Sequence, residues 1–252
     1  MRQHKLVSPL FAVVIMLPLL TSCDKDEPSS PTPAPSVPST RTTLLVEHHV
    51  DGSPLTFNAI QYTNEAGHEY SVTRLEYYIS GIKLITDDCC DVDPMIVGPL
   101  YINATLPNSF DLGTLPAATY TSVELYLGLA PEMNVTGALP ATLENVNMAW
   151  PVPMGGGYHF MKFEGHFLNN GTPTGYAMHL GRNDNLSLCT APTDFSLDGT
   201  ANTLALRFNL NEVFRDPHTY DLPTGSMSMG SMMLMGLLRD NCTNAFTLHL
   251  RP

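Results

Sequence analysis

Charge is scarce in this sequence of 252 residues, and basic charge is scarcest: 12 Lys and Arg stand against 24 Asp and Glu, for a net charge of −12. A chain this poor in cations has nothing with which to track a phosphate backbone, so nucleic acid is excluded as a partner. The acidity favours solubility and cations instead. No GxSxG, HExxH, phosphate loop or dinucleotide fingerprint occurs, and no enzyme is expected. Cysteines number five, none at CxxC spacing, which argues against a thiolate metal site. The uncharged apolar run from Leu6 to Leu20 is too short, and too closely followed by polar residues, to span a membrane.

That run does have a reading. Arg2, His4 and Lys5 precede it and Leu20-Thr21-Ser22-Cys23 closes it, the layout of an export signal. The closing four residues resemble the lipobox of bacterial lipoproteins, which implies cleavage before Cys23 and diacylglycerol on its thiol. Residues 1–22 are then a lipoprotein signal peptide. Loss of Arg2 and Lys5 makes the mature chain more negative by two charges. Asp24-Lys25-Asp26-Glu27 resembles the acidic export tag of surface lipoproteins in the Bacteroidetes. The expected location is the bacterial outer membrane, on its periplasmic or its outer side. Residues 28–40 are Pro, Ser, Thr, Ala and Val only. Such a stretch buries no core and extends at about 3.1 Å per residue, a reach of roughly 40 Å. Residues 23–41 are accordingly a lipidated tether and residues 42–252 the folded domain.

Within 42–252 many short apolar–polar alternations are separated by turn signals. Thr43–Val50, Leu55–Tyr62, Tyr70–Ile85, Tyr120–Leu129, His159–Phe167, Tyr176–Leu180, Thr203–Leu210 and Phe246–Leu250 read as strands. Helix is confined to one turn at Asn211–Arg215 and a short Met-rich helix or lid over Ser226–Leu238. The expected fold is all-β, an antiparallel β-sandwich or partly open barrel. Cys89, Cys90, Cys189 and Cys242 make an even set for an oxidising compartment. Adjacent cysteines pair poorly with each other, so one bridge from each of Cys89 and Cys90 to Cys189 or Cys242 is expected, in either order.

The residues with chemical interest are His, Met and the one Trp. Of nine histidines, all but His4 lie in the mature chain. Imidazole binds copper, zinc and nickel, and thioethers select Cu(I). His68 falls in a turn, His218 follows a proline, and His166 and His249 take the solvent side of strands. His48 shares a strand face with Leu44, Val46 and Val50 and so points inward, where a histidine is more often hydrogen-bonded core than ligand. Met229, Met232, Met233 and Leu237 fall at helical spacing, as a stripe packed on the sandwich, although the Met-rich run also invites a Cu(I) reading. The most distinctive stretch runs from Asn147-Met148-Ala149-Trp150 through Gly155-Gly156-Gly157 to Tyr158-His159 and on to Gly165. Three consecutive glycines permit a sharp turn or a close backbone approach.

These pieces resemble the MbnP family of copper-binding bacterial lipoproteins. The resemblance rests on Val46-Glu47-His48 with Gly52-Ser53-Pro54-Leu55, and on Tyr77-Tyr78-Ile79-Ser80-Gly81-Ile82-Lys83-Leu84. It continues through Met148-Ala149-Trp150 to Glu164-Gly165, Met178-His179-Leu180-Gly181, and Asn211-Glu212-Val213-Phe214-Arg215-Asp216-Pro217-His218. It implies a β-sandwich with a copper site at His48 and His179 beside Trp150, with Met148 as an extra ligand on the Trp150 face. It also implies a di-haem partner of the cytochrome c peroxidase type that converts Trp150 to kynurenine. Many relatives carry a second tryptophan where this chain has Val152, and Pro151, Pro153 and Met154 are further departures. The implied role is copper uptake, storage or handover. The alternative is a surface β-sandwich that binds a protein or glycan without metal, for which loop aromatics are few.

Overall fold

The computed structural model describes residues 39–86, 95–96, 98–198, 200 and 202–251. The export signal, Cys23, most of the tether, Cys89 and Cys90 lie outside the described residues.

Two sheets form a sandwich, as the alternating strands predict, and the barrel alternative falls away. The five-stranded sheet runs β13 (Phe246–Arg251), β12 (Asn202–Asn209), β1 (Ser39–Val50), β2 (Ser53–Pro54), with β7 (Ser109–Pro116) also paired to β1. The eight-stranded sheet runs β10 (Thr172–Gly181), β9 (His159–Asn169), β4 (Glu69–Thr86), β8 (Thr119–Leu127), β11 (Ser187–Ser196). Short strands β3 (Tyr62–Thr63), β5 (Met95–Ile96) and β6 (Leu100–Asn103) add to β4. Pairing is antiparallel except between β1 and β12, which run parallel. Ser39 already pairs with Pro116, so regular structure begins before the boundary expected at Thr42.

Register decides which side chains face the core. Tyr77, Met161 and Leu180 share one cross-strand row, and Glu76, Lys162 and His179 share the next. Successive residues of a strand point to opposite faces, so the two rows lie on opposite sides of the larger sheet. The Tyr77 row faces the smaller sheet: its ring meets Phe208 edge-on at 5.3 Å, and Phe208 stacks on Phe246 at 4.7 Å. The Glu76 row faces away from the core. Residues 130–158 cover part of that outer face, with Tyr158 against Tyr78 at 6.3 Å and Asn145 accepting from the Tyr78 hydroxyl at 2.6 Å.

Three local expectations are corrected. Leu55–Tyr62 is not a strand: Asn58 takes a positive φ of 71°, which breaks extended structure. The strands β6, β7 and β11 lie in segments where Pro, Gly and Asn obscure the alternation. The Met-rich helix starts later, as α3 (Met232–Asn241) with Ser231 capping the Leu234 amide, and its register differs. Met235 and Leu238 are its buried positions, whereas Met233 is 71% exposed, so the expected stripe through Met233 does not form. Two further short helices are α1 (Leu143–Asn147) and α2 (Leu222–Gly225). Cys189 and Cys242 are buried and unbridged, with the Cys189 thiol donating to the Cys242 carbonyl at 3.1 Å. Their expected partners Cys89 and Cys90 fall outside the described residues.

Candidate metal centre

The Trp150 segment folds back on itself through the glycines. After a 3-10 turn over Val152–Met154, Gly155, Gly156 and Gly157 all take positive φ, at 113°, 69° and 82°. A side chain at Gly157 would strike Asn134, so the turn closes tightly against the 134–136 loop. This reversal pairs Ala149 with Tyr158, the Trp150 amide donating to the Gly157 carbonyl at 2.9 Å. Met148, Trp150 and His159 thereby become neighbours. Trp150 is buried at 1% exposure, its indole N–H donating to the Met154 carbonyl at 3.2 Å. One side of the ring lies on Gly181, where an added Cβ would come within 2.6 Å of it.

His159 stands between Trp150 and His179, with ring centroids 4.7 Å from the indole and 5.1 Å from the other imidazole. The sequence assigns no role to His159, and the structure makes it the centre of the cluster. The findable signal was the pair of segments flanking the glycines, which can form a hairpin only by bringing Trp150 beside His159. His179 and Trp150 come together as expected. Met148 is fully buried, and its carbonyl faces His159 Nδ1 at 3.0 Å.

His48 is not brought to this group. It points inward from β1, as its strand face indicates, and its Nε2 lies 2.9 Å from the Tyr77 hydroxyl. Tyr77 belongs to the core-facing row and His179 to the outer row, so a β-sheet separates the two histidines. Burial, with His49 adding repulsion, pushes the His48 pKa down to about 4.

Each imidazole of the cluster has one nitrogen engaged by a protein group. His179 Nε2 is 2.8 Å from Glu164 Oε1, and its buried Nδ1 has no hydrogen-bond partner. His159 Nδ1 faces the Met148 carbonyl, and no hydrogen bond to its Nε2 is found among the described residues. This is how ligating histidines are held: one N–H donates to a carboxylate or carbonyl, which sets the tautomer and leaves the other lone pair free. Metal–nitrogen bonds of about 2.0 Å put two imidazoles on one ion with ring centres roughly 5–6 Å apart. The observed 5.1 Å falls in that span.

Burial and neighbouring cations disfavour a charged His159. Burial, then the nearby Lys162 ammonium, pushes the His159 pKa down to about 3. The hydrogen bond with His179, reinforced by Arg74, holds Glu164 below its usual range. Arg74 also donates to Glu76 at 2.6 Å and to Glu164 at 3.3 Å, and the Lys162 ammonium donates to the Asn147 carbonyl. Burial lowers the Lys162 pKa. No cluster of three or more His, Cys, Asp or Glu placed to hold a metal occurs among the described residues. The donor set is thus two imidazoles beside an indole and a thioether residue, too few hard ligands for calcium and too few in all for a four-ligand zinc site. It fits copper.

The molecule is thus a two-sheet β-sandwich with two neighbouring imidazoles and a buried tryptophan on the outer face of its larger sheet. The chain belongs to the MbnP family, whose model matches residues 39–233. Among solved structures it is similar to MbnP from Methylosinus trichosporium, with a TM-score of 0.52 and 12% sequence identity. That match covers 85% of this chain and 99% of the other, and at such identity it speaks for the fold. No curated protein sequence matches the chain.

Proposed function

We propose that this protein is a lipid-anchored extracytoplasmic copper-binding protein, acting in copper uptake, storage or handover. The observation that carries the reading is the pair of neighbouring imidazoles, 5.1 Å apart, each with one nitrogen engaged by a carboxylate or carbonyl and His179 with a buried Nδ1 that has no partner. His159 and His179 would hold the metal, and Met148 and Trp150 flank them. His48, the other histidine indicated by the family resemblance, stays in the core as a partner of Tyr77. Bound copper would supply a redox-active soft cation. Glu164 and the Met148 carbonyl orient the two rings, and the Trp150 lid with residues 147–157 excludes water from them. The anchor is supported by the Leu20–Cys23 motif and the Pro-rich segment that follows. A di-haem oxidase is the proposed partner for conversion of Trp150 to kynurenine.

The test is intact mass and bound-metal analysis of the exported chain purified from copper-supplemented cells. Copper near one equivalent, lost in His159→Ala and His179→Ala but kept in His48→Ala, is the expected result. Metal-free wild-type protein overturns the copper reading and leaves a non-metal binding module. The mass of the Trp150 peptide separately reports kynurenine.

A further inference from the structure

Methionine is concentrated where the sandwich borders the histidine cluster. Between Met227 and Met235 five of nine residues are methionine. Packing explains only part of this. Met235 is buried at 1% exposure, but Met232 is 40%, Met227 61% and Met233 71% exposed. Methionine is usually an interior residue, and its flexible thioether has no reason to crowd a wet surface unless the sulfur is used.

The sulfurs are not scattered. Met232 and Met235 sit one turn apart on α3, and their Sδ atoms lie 3.8 and 3.7 Å from one atom, Asn185 Nδ2. Asn185 is itself buried and donates from that nitrogen to the Gly181 carbonyl at 2.8 Å. Gly181 is the residue on which the Trp150 ring rests. Two residues, Asn185 and Gly181, therefore link the thioether pair to the indole. The same segment is laced to the strand bearing His179: Met227 bridges Ala177, and the Ser228 hydroxyl accepts from the His179 amide and donates to its carbonyl, both at 2.7 Å.

We propose that Met232 and Met235 form a second metal site, specific for a soft monovalent cation. Thioethers are neutral, lose no proton on binding and select Cu(I) over Zn(II) or Ca(II). The contacts that an ion would displace are amide–sulfur hydrogen bonds, among the weakest in proteins, because a thioether is a poor acceptor. The site is an acquisition point beside the imidazole pair. That role rests on the copper reading above, whereas the thioether binding does not.

The probe is Ag(I), a redox-inert soft cation, added to the full chain carrying [13C-methyl]methionine, with His159→Ala/His179→Ala and Met232→Leu/Met235→Leu variants alongside. Two equivalents are expected, one lost with the histidines. The other shifts the Met232 and Met235 methyl signals and weakens by about tenfold or more in the methionine variant. Leu conserves volume at both positions, so the variant folds. Silent Met232 and Met235 methyls, or a methionine variant that keeps both equivalents, overturns the proposal and leaves the histidine centre standing. Methionine-dependent binding with no histidine-dependent equivalent sustains the proposal and removes the copper centre.

Discussion

His179 Nε2 and Glu164 Oε1 are joined at 2.8 Å, and that one bond determines which imidazole nitrogen is left free. The carboxylate accepts from Nε2–H, so the lone pair resides on Nδ1, the buried atom without a partner.

Glu164→Gln keeps the shape of this contact but weakens it. Loss of such a supporting group typically costs 10–100-fold in metal affinity. Copper affinity, measured by chelator competition, is expected to fall by about that factor with the melting temperature little changed. Unaltered affinity would remove Glu164 from the site.

Gly181→Ala places a methyl about where the indole lies, 2.6 Å from the ring. Trp150 cannot retreat, since it is enclosed by the 147–157 turn. Overpacking of this kind costs roughly 1–3 kcal/mol. As the chain has one tryptophan, its fluorescence reports the site alone. Lower stability in urea with a red-shifted emission is expected, and wild-type emission would show that the ring is not seated on Gly181.

The half-buried His48, hydrogen-bonded to Tyr77, gives the metal-free protein an acid-sensitive stability. Its pKa is about 4 when folded, against 6.5 in the unfolded chain. Between those values the unfolded state binds the extra proton, so stability falls as pH drops from about 6.5 to 4 and then levels. A shift of this size corresponds to about 1–3 kcal/mol. Urea midpoints across that window should slope less in His48→Gln, and equal slopes would assign the acid sensitivity elsewhere. His159 adds a limb of the same sign, extending toward pH 3.

Cys189 and Cys242 are expected to be inert while the protein is folded. Burial pushes the Cys189 thiol up to about 12 and raises Cys242 well above its ordinary value, so neither presents thiolate at neutral pH. Maleimide should label them only after denaturation. Rapid native labelling at either position would contradict their burial at 1% and 0% exposure.

The fold was legible where alternation was strong. Tyr70–Ile85 became the central strand β4, extended by a residue at each end, because Tyr, Val and Ile occupy the buried face of a half-covered sheet. Where Pro and Gly interrupt, as in Ser109–Pro116, the period-two signal is too short to read, and only pairing with β1 makes a strand. The α3 register slipped for a related reason. Met and Leu are both apolar, so spacing offered several equivalent stripes, and the sandwich selected the one through Met235 and Leu238.

By itself the sequence determined the all-β class, the inward side of His48 and the singular character of the Trp150–Gly157 stretch. Each follows from local order: residue type, period two along a strand, glycine where the chain must reverse. Only the tertiary structure decided which histidines meet. His48 and His179 lie on strands of different sheets, and which face of the larger sheet each occupies depends on a register that no local pattern records. The glycine turn and the bulge between Leu180 and Gly181 bring His159 to the outer row beside His179 and Trp150, while the core takes His48 for Tyr77.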